Sequence, residues 1–157
     1  VFLLTSAAVP PAHAQIIDTF TLPAGPTAVD ASVQSNVSLR EGRIFTVRVS
    51  GTFLIGGASG LADAEYFNIP ATPLDRSVQG VDIGVQIDGV DIDWGPFNPT
   101  HVYETTIIGE GAPINVSFND TNHGDNSGSL SVEILPSPAA ATVFVAAALV
   151  ITRRRRG

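Results

Sequence analysis

Residues 113–135 read Pro113-Ile114-Asn115-Val116-Ser117-Phe118-Asn119-Asp120-Thr121-Asn122-His123-Gly124-Asp125-Asn126-Ser127-Gly128-Ser129-Leu130-Ser131-Val132-Glu133-Ile134-Leu135. Ile114, Val116 and Phe118 alternate with Asn115, Ser117 and Asn119, and Leu130, Val132 and Ile134 alternate with Ser129, Ser131 and Glu133. A period of two marks a strand with one buried face. The stretch therefore predicts strand, tight loop, strand, closed as a hairpin. The loop, residues 120–128, holds two carboxylates (Asp120 and Asp125), two amides (Asn122 and Asn126) and no aliphatic side chain. Oxygen donors crowded at one end of a hairpin suit a hard cation such as calcium. The same residue types also build plain polar turns, and composition leaves both readings open.

Working outward, strand signals recur with turns between them. Residues 16–22 are apolar and β-branched and are broken by Pro23-Ala24-Gly25-Pro26. Residues 33–39 alternate weakly. In 43–54, Phe45, Val47, Val49 and Phe53 face one way and Thr46, Arg48, Ser50 and Thr52 the other. Residues 61–80 form a long connection, a length that in a compact domain often carries function. Residues 81–87 and 90–94 flank Asp88-Gly89, a hairpin-turn dipeptide, and 101–108 is a further strand. Seven or eight short strands without a convincing helix predict an all-β fold, a β-sandwich.

The two ends differ from this core. Residues 1–9 are largely apolar and lead to Ala12-His13-Ala14, an A-x-A cleavage pattern, so 1–14 reads as the remnant of a secretory signal peptide. At the other end Leu135-Pro136-Ser137-Pro138 precedes an apolar run, 139–151, and then four arginines, 153–156. A helix of about 13 residues spans ~20 Å, short of the ~20 residues of a stable membrane span. The arginines would hold it on the cytoplasmic side. Pro-x-Pro, a short Ala-rich helix and an Arg cluster resemble the PEP-CTERM sorting tail of bacterial envelope and exopolysaccharide-associated proteins. That resemblance implies sorting through an exosortase-like enzyme after transient membrane anchoring of 136–157. The family's Glu between the prolines is Ser137 here. A plain C-terminal anchor is the other reading.

Charge limits the partners. All fifteen carboxylates lie in residues 15–135 with four arginines and no lysine, which leaves that core at −11. Such a surface repels nucleic acid and anionic polymers and accommodates divalent cations. There is no cysteine, so an exported chain of this kind relies on its core or on metal rather than on disulfides.

Gly51-Thr52-Phe53-Leu54-Ile55-Gly56, then Ile83-Gly84-Val85-Gln86-Ile87-Asp88-Gly89, then Asn119-Asp120 with Gly124-Asp125-Asn126-Ser127-Gly128-Ser129, resemble the PA-I type galactophilic lectins. The resemblance covers roughly residues 40–134. It implies a jelly-roll-like β-sandwich that binds sugar through calcium. The matching side-chain ligands are Asp120, Asp125 and Asn126, and the matching backbone carbonyls are those of Ile55 and Asn122. The family's sugar-binding His and Gln have no counterpart in 61–80, so galactose specificity does not carry over.

The resulting expectation is an exported envelope or extracellular protein that binds carbohydrate or exopolysaccharide and is not an enzyme. Asp120 and Asn126 would contact the sugar, and Tyr66 and Trp94 are candidate aromatic platforms, with core packing as the other reading of both. Asp63, Glu65, Asp91 and Asp93 read as solvated acids. Two alternatives stay open: a structural matrix protein in which calcium only staples the loop, and a glycosidase built on Asp63 with Glu65 or Asp91 with Asp93, each pair spaced to share one face of a strand.

Overall fold

The longest strand among the described residues, Ser129–Pro136, organises the fold. Its Leu130, Val132 and Ile134 are buried and Ser129 and Ser131 exposed, as the alternation requires. This is a computed structural model, describing residues 15–25, 32–56, 60–79, 84–120 and 122–137. The expected signal remnant, 1–14, and the expected apolar helix and Arg cluster of the tail lie outside the described residues.

Within them there are twelve strands, one short α-helix and, between the last two strands, one 3-10 turn (His123–Asp125). They are β1 (Asp18–Pro23), β2 (Val33–Gln34), β3 (Ile44–Ser50), β4 (Phe53–Leu54), β5 (Leu61–Ala62), β6 (Tyr66–Phe67), β7 (Leu74–Asp75), α1 (Arg76–Gln79), β8 (Gly84–Ile87), β9 (Val90–Asp91), β10 (Val102–Ile108), β11 (Asn115–Asn119) and β12 (Ser129–Pro136). Two four-stranded antiparallel sheets run β1-β12-β3-β10 and β2-β11-β8-β9, with two small hairpins, β4-β5 and β6-β7. Inward residues of both sheets join one core: Val47, Val49, Val132 and Ile134 from the first, and Val85, Ile87, Val116 and Phe118 from the second. Phe53 and Phe118 meet edge to face at 4.5 Å. Among the described residues no helix is long and apolar enough to cross a membrane.

The expected hairpin of residues 113–135 is not formed. β11 pairs with β2 and β8, and β12 pairs with β1 and β3, so the two strands lie in different sheets. Each strand has one buried face, as read. Alternation reports that face and not the lateral neighbour, so it cannot separate edge pairing from packing across a core. The loop after β11 is therefore a crossing between sheets.

The strand expected over 43–54 is interrupted at Gly51, whose φ of 105° lies where a side chain is strained. β3 ends there and the chain turns into β4. Asp88-Gly89 does form the hairpin turn, with Ile87 paired to Val90 and both turn residues at positive φ (51° and 74°). Of the long connection 61–80, the described residues 61–79 form β5, β6, β7 and α1 rather than one loop.

Candidate functional site

The crossing loop starts where β11 leaves its sheet. Asp120 Oδ1 accepts the backbone N–H of Asn122 at 3.0 Å, and Asp120 Oδ2 accepts Asn126 Nδ2 at 2.6 Å. Residues His123–Asp125 make one 3-10 turn, capped by the Asn122 side chain, whose Oδ1 accepts the Gly124 N–H at 3.3 Å. Asn126 closes the turn with its N–H on the His123 carbonyl. The loop thus folds on its own polar side chains, the local preference of Asp and Asn.

A second segment is drawn beside it. Leu54 and Ser127 exchange both backbone hydrogen bonds, at 2.9 and 3.0 Å. This sets Ile55 and Gly56 alongside Asp125 and Asn126, residues about seventy apart in sequence. The contact is close: a Cβ on Gly56 would come within 1.9 Å of Asp125 Oδ2. Of the five residues expected to hold a cation, Asp120, Asn122, Asp125 and Asn126 are thus in one loop, with Ile55 just past the end of β4.

One atom of this cluster is unusual. Asn126 is 3% exposed, and its Oδ1 is buried with no hydrogen-bond partner among the described residues. An unpaired buried carbonyl oxygen costs about 1–3 kcal/mol, and it is an oxygen donor of the kind calcium takes. The residues present therefore fit a hard cation: two carboxylates, an amide oxygen and nearby backbone carbonyls. Among the described residues no group of three His, Cys, Asp or Glu gathers as a metal centre. An oxygen set that includes amide and backbone oxygens falls outside that pattern. His123 Nδ1 is a second buried atom with no partner among the described residues, its ring edge-on to Phe118 at 6.3 Å.

Tyr66 and Trp94 belong to the core. Tyr66 is 9% exposed, donates its hydroxyl to the Gly95 carbonyl at 3.2 Å, and packs against Phe97 and Tyr103. Trp94 is 5% exposed, and its Nε1 donates to the Val85 carbonyl at 3.0 Å. Trp94 also borders a shallow open groove of about 350 Å³ with Phe97, Pro99 and Glu104. These rings are held by core packing and by the hydrogen bonds that their polar ends require once buried.

The structure corrects the reading of Asp63 and Glu65 as solvated acids. Asp63 is 1% exposed and Glu65 3%. Asp63 Oδ1 accepts the N–H groups of Glu65 and Tyr66 at 3.0 and 2.8 Å, so these residues make a turn between β5 and β6 and not one strand face. Asp63 Oδ2 accepts the Tyr103 hydroxyl and lies 2.8 Å from His101 Nδ1. His101 has a φ of 53°, a strained conformation for a residue with a side chain. Burial pushes the Tyr103 phenol well above its ordinary range, and the hydrogen bond to Asp63 adds to it.

Glu65 faces the other way. Its Oε2 accepts the Trp94 N–H at 3.2 Å, and Oε1 lies 3.5 Å from Arg76 Nε. Burial raises the Glu65 carboxyl above the usual carboxylate range, against the opposing pull of the Trp94 amide and Arg76. Arg76 also reaches Asp91 Oδ1 at 3.1 Å and the Ile92 carbonyl at 2.9 Å. Gly84 makes room for it, since a Cβ there would meet Arg76 Cδ at 2.4 Å. Asp91 and Asp93 are exposed as read, though Asp91 also accepts Gln86 Nε2 at 2.9 Å. The hydrogen bond from Gln86, then that from Arg76, holds its carboxyl below the ordinary range. Sequence reading missed the Asp63–His101–Tyr103 cluster. Its one legible signal is an Asp two residues before Glu65 in a turn-forming stretch; His101 and Tyr103 join it only through the fold.

No protein-family model matches this chain, and no curated protein or solved structure matches it.

Proposed function

We propose that residues 15–135 are an exported, non-catalytic carbohydrate-binding domain of the jelly-roll-like β-sandwich kind, sorted to the cell envelope by the C-terminal tail and binding sugar at a calcium-bridged site. The observation that carries this reading is the Asn126 Oδ1, buried and without a hydrogen-bond partner among the described residues, beside the Asp120 carboxylate. Side-chain oxygens of Asp120, Asp125 and Asn126 and the carbonyls of Ile55 and Asn122 would hold the ion. Calcium would supply positive charge and, with its six to eight oxygen positions, places for two sugar hydroxyls. Asp120 and Asn126 orient those hydroxyls by hydrogen bonds. The Leu54–Ser127 pairing keeps the two segments of the site in register.

A second reading has a specific observation in its favour. Tyr66 and Trp94 are given to the core, which leaves the loop without the aromatic platform expected of it. In a structural matrix protein, calcium would only staple the crossing loop. A glycan array run with calcium and with chelator separates the two. Calcium-dependent glycan capture supports the carbohydrate-binding domain. Calcium-dependent stability with no glycan captured supports the matrix protein. Glycan capture that is unchanged by chelator contradicts the bridged site.

A further inference from the structure

We propose that β10 is a self-pairing edge, through which two copies of this chain join into one continuous antiparallel sheet. Among the described residues β10 pairs with β3 alone. It is seven residues long, Val-Tyr-Glu-Thr-Thr-Ile-Ile, strongly β-forming, with no Pro, Gly or Lys to blunt it. The other described edges are protected. β2 and β9 are two residues each. β1 ends in Pro23, and its Asp18 is tied to Asn36 beside the second sheet through both carboxylate oxygens.

The backbone fixes which groups are offered. In an antiparallel ladder the N–H and C=O of one residue point the same way. The Gly51 N–H donates to the His101 carbonyl at 3.0 Å, and Gly109 exchanges hydrogen bonds with Arg43 and Gly42 at 2.8 Å. The odd-numbered residues between them therefore face β3. Val102, Glu104, Thr106 and Ile108 face outward. In agreement, the Val102 carbonyl is reached from outside the ladder by Asn98 Nδ2 at 2.8 Å, so that end of the edge is already covered and the groups left for a second copy are those of Glu104, Thr106 and Ile108.

One two-fold register suits this edge. Centred on Thr105, it sets Glu104 opposite Thr106 of the second copy, twice, each pair exchanging two main-chain hydrogen bonds. Val102, whose carbonyl stays with Asn98, falls opposite Ile108 without a full exchange of bonds, and the Ile108 side chain is 67% exposed and flanked in register by the 40%-exposed Ile44. Centring on Glu104 instead would place two carboxylates face to face, which is destabilising. Glu104 is the one charged residue of the strand, and Arg48 Nε already neutralises it at 2.7 Å. An acidic protein can thus meet its copy here without adding unpaired charge. Joined copies would carry two crossing loops, which raises avidity for a polymeric ligand; that consequence rests on the proposed function, whereas the pairing does not.

Sedimentation of the full chain, without calcium or sugar, tests the pairing. The parent is expected to dimerise with rising concentration. Thr106→Pro removes an outward N–H without touching the β3 ladder, and Thr106→Lys adds a charge to the same edge. Both are expected to be monomeric with unchanged circular dichroism. The chain has no cysteine, so Thr105→Cys is a clean probe. Opposed residues of a non-hydrogen-bonded pair lie about 4.5 Å apart, within disulfide reach. It should oxidise to a covalent dimer, while Thr106→Cys, offset from its own copy, should not. A monomeric parent, a dimer that survives both Thr106 variants, or crosslinking through Thr106→Cys in place of Thr105→Cys would overturn the proposal. So would a dimer lost only when residues 138–157 are removed, which would make the tail the occupant.

Discussion

Asp63 shows how one buried carboxylate can be kept. Its two oxygens receive two backbone N–H groups, a phenol and an imidazole nitrogen. Asp63→Ala would leave the Tyr103 hydroxyl and the turn amides unsatisfied, and a loss of about 3 kcal/mol or more is expected in denaturant melts. Asp93→Ala removes only the hydrogen bond to the Gly95 N–H on the surface, and a loss below about 1 kcal/mol is expected. Both tyrosines of the chain have phenols raised above the ordinary range, each chiefly by burial. A raised native pKa contributes stability below the ordinary phenol pKa, lost as pH rises through the native value. Phenolate absorbance should therefore grow only as circular dichroism is lost at alkaline pH. Titration of both tyrosines near pH ~10 with the fold intact would contradict their burial. These positions were not legible in the sequence. Asp63 and Glu65 carry the same letters as solvated acids, and their partners are 38 and 29 residues distant.

At the scale of elements, the buried faces were legible and the pairings were not. Phe45, Val47 and Val49 on β3 and Leu130, Val132 and Ile134 on β12 are inward as their alternation indicates. That β11 and β12 enter different sheets depends on a crossing loop whose path local pattern does not encode. The Asp88-Gly89 turn was readable because its positive-φ geometry is written in two residues. The clamp between the loop before β3 and the end of β10 was not. There Gly109 lies so close to the chain that a Cβ would meet the Arg40 carbonyl oxygen at 2.5 Å and that of Leu39 at 2.8 Å. These are backbone atoms and cannot rotate away. Gly109→Ala should cost about 1–3 kcal/mol, read as a lower melting temperature. Gly56→Ala collides with the Asp125 side chain down to its Cβ at 2.3 Å, which rotation does not move, so the two segments must shift apart. At the proposed calcium site that shift should lower affinity about tenfold or more, with the strands of both sheets, and so the far-ultraviolet circular dichroism, retained.

For the whole molecule, composition gave the fold class, because an all-β chain needs short alternating runs and frequent turns. The loop that gathers Asp120, Asn122, Asp125 and Asn126 was visible as a cluster, and its partner segment at Leu54–Gly56 came from resemblance. The Leu54–Ser127 pairing places that segment beside the loop. Two carboxylates about 4 Å apart would repel by ~4 kcal/mol at an effective dielectric near 20, and a divalent cation reverses that sign. Binding only to the folded state adds about 2.7 kcal/mol at a hundredfold excess over the dissociation constant. Calorimetric titration of calcium into the full chain, beside Asp125→Ala and Asp93→Ala, is the most direct measurement. Millimolar or tighter binding is expected for the parent and for Asp93→Ala, and a loss of most of it for Asp125→Ala with the apo fold intact. No binding by the parent in the millimolar range, or equal binding by Asp125→Ala, would contradict a calcium site in the crossing loop.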